Sequence, residues 1–158
     1  MGRDQEWALA KAKAAIVVAK QLGIKTVSLG LEDATRADWS FLKKMAGEAI
    51  NTGADRLRLA DTVGVATPSE IAELVRSIQV VGSVEIGVHM HNDFGMATAN
   101  SLAPLDAGAD WADVTVLGLG ERAGNARLEE LAGYLALKRG RRYRLDSIIK
   151  LAKTVSAI

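Results

Sequence analysis

The feature that most constrains this chain is its punctuation by glycine. Gly23, Gly53, Gly82 and Gly108 each close a helix-like stretch and precede a β-rich one, at intervals of about 30 residues. A residue just past a helix end often needs positive φ, which glycine adopts without a Cβ penalty. The wording recurs with the spacing: Gly53-Ala54-Asp55 and Gly108-Ala109-Asp110 stand at the same point of two units. Short β-rich runs alternating with longer helical ones at this period are the βα repeat of a parallel α/β fold.

The pattern predicts strands over Thr26–Leu29, Arg56–Ala60, Glu85–His89 and Asp113–Leu117. Helices are expected over Glu6–Leu22, Trp39–Asn51, Pro68–Val80, Met96–Ala107 and Leu128–Lys138. The Pro68 helix has the firmest start, with Thr67 as N-cap, Pro68 at N1 and Glu70 placed to complete a capping box. Its Ile71, Leu74, Val75 and Ile78 keep the spacing of one buried face. Pro104 lies inside a helical pattern, where a kink or an early break is expected.

Four βα units are half of a (β/α)8 barrel, which typically needs about 250 residues against the 158 here. The expected fold is therefore α/β: a parallel (β/α)4 half of a TIM barrel over residues 1–143, with a leading helix. A C-terminal helical stub is expected over residues 144–158, where Leu145, Ile148, Ile149, Leu151, Ala152 and Val155 have little left to pack on. An open parallel sheet has two unpaired edges and an expected concave apolar face. Both call for association with a second body.

Composition excludes several classes. With 20 basic and 19 acidic residues, a net charge of +1 and 49% hydrophobic residues, the chain has neither a disordered composition nor a whole-surface phosphate-binding field. The longest apolar run, Ala14 to Ala19, is too short to cross a membrane, and no secretory apolar stretch opens the chain. The absence of cysteine removes disulfides and thiolate metal sites and fits a cytoplasmic location. Lys138, Arg139, Arg141, Arg142 and Arg144 read as a solvated helix end, because only Tyr143 is available among them to stack a base. Neither a nucleic-acid nor a membrane partner is expected.

Chemistry-bearing residues gather where a parallel α/β fold places its site, at the C-terminal ends of strands. These are Glu32-Asp33 with Arg36, Asp61-Thr62-Val63-Gly64, His89-Met90-His91-Asn92-Asp93, and the loop Gly118 to Asn125. His89 and His91 are the only histidines, and two apart on a strand they point to one face. Neutral imidazoles so placed are candidate ligands for a divalent metal, with at least one further ligand from elsewhere. Asp93 could supply it or could cap the next helix. Glu32 and Asp33 are candidates for acid/base work, or for a salt bridge to Arg36 or a helix cap. Asp61 reads as structural and Thr62 as substrate-binding. Gly118-x-Gly120-x-x-Ala123 superficially matches a dinucleotide fingerprint, yet no acidic residue closes a following strand.

The run from His89 to Asn100 (HMHNDFGMATAN), followed by Gly118 to Asn125 (GLGERAGN), resembles the paired signature of the DRE-TIM metallolyase superfamily. This HMGL-like, or pyruvate carboxyltransferase, domain occurs in isopropylmalate, homocitrate and citramalate synthases and in hydroxymethylglutaryl-CoA lyases. With the Glu32-Asp33 and Asp61–Gly64 loops the likeness covers nearly the whole chain. Ser28-x-Gly30-x-Glu32-Asp33-Ala34 is most similar to bacterial homocitrate synthases of the nitrogen-fixation type, with isopropylmalate synthase second.

The resemblance implies an acyltransferase that condenses acetyl-CoA with a 2-oxo acid, 2-oxoglutarate giving homocitrate. It implies a divalent metal, Mn2+, Mg2+ or Zn2+, that polarises the 2-oxo carbonyl. By motif position His89 and His91 are implied as metal ligands and Asn125 as the amide at or beside the metal. Thr62 is implied in binding a substrate carboxylate and Glu32 in proton transfer, while Glu121 and Arg122 organise the loop that carries Asn125.

One part of the family pattern is missing. Its first-strand Asp-x-Thr-x-Arg-Asp-Gly motif, which supplies a metal carboxylate and an arginine, has no equivalent here. Asp33-Ala34-Thr35-Arg36 is one residue too short and lies where the family has a loop of its own. By the same resemblance the residues from Arg144 are expected to be a stub of the family's C-terminal lid domain. Two expectations follow. In one the chain is half of a synthase, inactive alone, and a complementary N-terminal half-barrel brings the missing Asp and Arg. In the other it is a non-catalytic half-barrel that self-associates, or a piece of an isopropylmalate or citramalate synthase or related lyase.

Overall fold

The third helix shows how sequence sets structure in this chain. Helix α3 spans Pro68–Gln79 and opens on the expected capping box, with Thr67 and Glu70 exchanging side-chain and backbone hydrogen bonds. The cap stabilises by about 1 kcal/mol. Full burial of Ile71, Leu74, Val75 and Ile78 contributes about 1.5–3 kcal/mol for each side chain. Packing therefore decides that this helix exists, and the cap decides where it starts.

The computed structural model describes residues 4–158. Before α3 come α1 (Gln5–Gln21), β1 (Ser28–Leu31), α2 (Trp39–Thr52) and β2 (Arg56–Asp61). After it come β3 (Glu85–Met90), α4 (Ala97–Asp106), β4 (Trp111–Ala112), a 3-10 turn at Val116–Gly118, α5 (Leu128–Arg139) and α6 (Leu145–Val155). The sheet is four-stranded, all parallel, in the order β1-β2-β3-β4. Strand and helix alternate as the glycine period predicts.

The recurrent Gly-Ala-Asp has a shared structural cause. Gly53 and Gly108 carry φ of 105° and 103° just past α2 and α4. The following Asp55 accepts the Val27 N–H at 2.7 Å, and Asp110 accepts the Ile86 N–H at 2.8 Å. Each aspartate thus pins the start of the neighbouring strand. Gly82 breaks the series: α3 is capped by Val80, and Gly82 instead lets the Ile50 side chain pack closely.

The boundaries of β1 to β3 and α1 to α5 lie within two residues of the predicted ones, whereas β4 precedes the predicted Asp113–Leu117 altogether. Strand β1 begins two residues later than predicted, at Ser28. Strand β4 stops at Ala112, because the chain turns at Val116–Gly118, where Leu117 takes φ 58°. Helix α4 runs through Pro104 and ends at Asp106. Helix α6 packs on α5 and the 3-10 turn with only Ala152 buried, leaving Ile149 and Leu151 exposed.

The two faces of the sheet are unlike. Leu57, Leu59, Ile86, Val88 and Met90 face the helices and are buried. The alternate positions of β2 and β3 point into the open concavity, and they are charged or small rather than apolar. Arg56 pairs with Glu85 there, and Arg58 with Glu32 and Asp113. The expected concave apolar face is therefore corrected: its width is bridged by ion pairs, with Gly30 and Gly87 between them.

Candidate functional site

All five side chains singled out by sequence stand at the C-terminal rim of the sheet, at strand ends or in the loops that follow. β3 carries His89, and its continuation carries His91, which forms an isolated antiparallel bridge with Asn125. The two imidazoles meet edge to face, centroids 5.0 Å apart. His89 Nδ1 donates to Asp113 Oδ2 at 3.0 Å, which leaves Nε2 as its acceptor nitrogen. A carboxylate behind an imidazole fixes its tautomer and raises its basicity as a ligand.

His91 Nδ1 and Asn125 Oδ1 are buried without any hydrogen-bond partner. Such orphaned atoms are rare and ask for a reason. An imidazole nitrogen and an amide oxygen brought together by one backbone bridge, beside a second imidazole, fit a divalent cation. The set is nevertheless partial: among the described residues no three His, Cys, Asp or Glu side chains converge to hold a metal. Burial, followed by the charges of His89 and Arg122, holds the His91 imidazole below its ordinary range, which favours the neutral ligand form.

The glycines of the last loop make room for Asn125. A Cβ on Gly120 would lie 2.3 Å from the Asn125 amide nitrogen, and one on Gly124 would lie 2.1 Å from the Gly118 carbonyl oxygen. The Gly118-x-Gly120 pattern therefore cradles an amide side chain of this same loop. Arg122, at φ 54°, holds the loop down by donating to both carboxylate oxygens of Asp93 at 2.8 and 2.9 Å and to the Thr62 carbonyl at 2.7 Å. Asp93 thus gives both oxygens to Arg122 and does not cap α4. The Ala97 N–H at the start of α4 is taken instead by Asn92 Oδ1.

The two acidic neighbours after β1 separate cleanly. Asp33 takes Arg36 in a two-point pair at 2.8 and 2.6 Å, and that guanidinium holds its carboxyl below the usual carboxylate range. Glu32 turns inward, receiving Arg58 at 2.9 Å and the Thr62 hydroxyl at 3.3 Å. The Thr62 hydroxyl also accepts the Asp33 N–H at 2.7 Å. Asp61 is fully buried and accepts from Thr35 Oγ1, Val65 N and Ala66 N, so it braces two loops as expected.

Arg58 and Asp113 are the site residues that sequence reasoning missed. Arg58 NH1 reaches Asp113 Oδ2 at 3.2 Å, the oxygen that also receives His89. His89 and Arg58 together hold the half-buried Asp113 carboxyl below its usual range. The available signal was the alternation Arg56-Leu57-Arg58-Leu59, which puts two cations on the inner face of a strand.

The comparisons with known proteins bear on the family and the fold. Residues 1–157 match the family model HMGL-like. The chain is 49% identical over 136 residues to 2-isopropylmalate synthase 2 of Caldanaerobacter subterraneus, a match covering 86% of this chain and 35% of that protein. It is 47% identical over 136 residues to the homocitrate synthase of Frankia alni, covering 84% and 37%. The chain thus spans about a third of the length of these curated relatives. A solved HMG-CoA lyase from Acinetobacter baumannii superposes with a TM-score of 0.78 at 22% identity, over 90% of this chain and 52% of the lyase chain. That likeness identifies the fold as part of a TIM-barrel-like α/β architecture. On the family model and these identities, the chain belongs to the HMGL-like family, that of the DRE-TIM enzymes.

Proposed function

We propose that this chain forms one half of an acyltransferase site that condenses acetyl-CoA with a 2-oxo acid. The observation that carries the reading is the convergence of His89, His91 and Asn125, two of them with orphaned buried atoms, on the rim that also carries Glu32 and Thr62. A divalent metal held by His89 and His91, with Asn125 at or beside it, would supply Lewis-acid polarisation of the 2-oxo carbonyl.

The remaining roles belong to this chain's own side chains. Glu32 is the inward carboxylate of the rim, and it serves to move the methyl proton of acetyl-CoA. Thr62 donates only a long bond to Glu32, so its hydroxyl can turn to a carboxylate of the 2-oxo acid. Arg122 and Asp93 keep the Asn125 loop against the rim. A complementary N-terminal half-barrel supplies the acidic ligand and the arginine that this half lacks. It pairs with the open edges of β1 and β4.

The 2-oxo acid in this reading is 2-oxoglutarate, with a branched 2-oxo acid second, in line with near-equal similarity to a homocitrate and an isopropylmalate synthase. The test mixes the chain with a complementary half, Mn2+ or Mg2+, acetyl-CoA and a panel of 2-oxo acids, and follows CoA release. Fastest release with 2-oxoglutarate supports homocitrate formation. Fastest release with 2-oxoisovalerate moves the assignment to isopropylmalate, and release with none of the panel overturns the condensing reading.

A further inference from the structure

Of the five residues carried to this rim by sequence, none explains how Glu32, at the end of β1, keeps its place relative to His89, two strands away. The side chain that spans this distance is Arg58. In register, Arg58 lies between Gly30 on β1 and Gly87 on β3, neither of which brings a side chain of its own to the inner face. The slot above Gly87 is taken by the Trp111 ring, which a Cβ there would meet at 2.2 Å. Arg58 sends NH2 to Glu32 Oε1 at 2.9 Å and NH1 to Asp113 Oδ2 at 3.2 Å. Asp113 passes the link to His89 Nδ1 at 3.0 Å.

We propose that Arg58 is a positioning residue, a two-armed brace that sets the Glu32 carboxylate relative to the His89 imidazole by way of Asp113. The inference rests on the acyl-transfer reading above and deepens it. An arginine that merely neutralised the concave face would need one carboxylate. Arg56 is that case: it pairs across to its in-register neighbour Glu85 and touches no residue of the rim. Arg58 uses two different nitrogens on carboxylates from opposite ends of the sheet. A planar guanidinium can do this, and the single ammonium of a lysine cannot hold both arms. Losing a partner that stands behind a ligand typically lowers affinity or activity about 10- to 100-fold.

The test compares Arg58→Gln, Arg58→Lys and the control Arg56→Gln. In this chain alone, nitrogen NMR of His89 at about pH 8, above the ordinary imidazole range, reads its tautomer. The wild type and Arg56→Gln are expected to hold the single Nδ1–H form, and both Arg58 variants a mixture of tautomers. In the protein assembled with its complementary half, both Arg58 variants are expected to lose about 10- to 100-fold in kcat, with KM for either substrate little changed. If Arg58→Gln does not fold, Arg58→Lys, which keeps the charge, carries the comparison. A single tautomer with unchanged kcat in the Arg58 variants overturns the proposal, as does an equal fall in Arg56→Gln. An assembled wild type that turns over no 2-oxo acid overturns the acyl-transfer reading, while the tautomer comparison decides the brace by itself.

Discussion

Asp61 and Thr62 are adjacent, polar and placed at the same strand end, yet their surroundings differ. Asp61 is fully buried and holds three donors from two loops, whereas the Thr62 hydroxyl sits at the rim. Asp61→Ala is expected to cost about 3 kcal/mol or more, since each stranded buried donor costs about 1–3 kcal/mol. Thr62→Val should cost about 1 kcal/mol while lowering affinity for the 2-oxo acid. Urea unfolding of the two variants checks the contrast, and equal losses would contradict it. His91 gives a pH signature. Its imidazole is held below the ordinary range, chiefly by burial, so it binds its proton less readily folded than unfolded. The stability this contributes is present above the unfolded value of about 6.5 and is lost as pH falls through the folded one. The urea midpoint should therefore drop as the solution is acidified below that value, and His91→Gln should flatten this part of the profile. An unchanged slope in His91→Gln would assign it to other groups. The bracing role of Asp61 was legible in sequence because a polar residue at a strand end, just before a glycine turn, can hold the loops beside it. Arg58 and Asp113 could not be found that way, because their meaning lies in a contact between residues 55 positions apart.

At the scale of elements, the glycine period was legible because it reports backbone geometry that only a few residues tolerate. The Gly-Ala-Asp repeat is the sharper signal, since its aspartate does the same job twice. Asp110→Ala frees the Ile86 N–H at the start of β3 and should lower the unfolding free energy by about 1–2 kcal/mol; Asp55→Ala, which frees the Val27 N–H, should do the same. Chemical denaturation measures both, and a loss in only one of them would mean the repeat is coincidental. Strand β4 was the hardest element to read. Asp113 to Leu117 has strand-like composition, but Thr115 bonds to Ala126 and Leu128, and the Leu117 N–H is held by the Glu129 carboxylate. These contacts with the loop before α5 and with its first turn divert the chain into a turn, and nothing local announces them. The inner face was misjudged for a related reason. Alternation shows which residues share a face, but the ion pairs that let charges sit there join different strands.

At the scale of the whole molecule, the sheet is open and its first and last strands are unpaired edges. A charged concavity is better closed by a body with its own complementary charges than by a second copy that repeats Arg56, Arg58, Glu32 and Glu85. Gel filtration of the chain with its complementary half should therefore show a complex that the chain alone does not form at the same concentration; co-elution of the two as separate monomers would count against it. The family model and the relatives place this chain in the HMGL-like family, and the proposed function turns on whether His89 acts in the reaction. The most direct measurement is CoA release from acetyl-CoA and 2-oxoglutarate by the assembled protein, wild type against His89→Ala. The account predicts release that requires both halves and falls at least about 100-fold in His89→Ala, at the limit of what removing a ligand or its support costs. Equal release from the two proteins would contradict it.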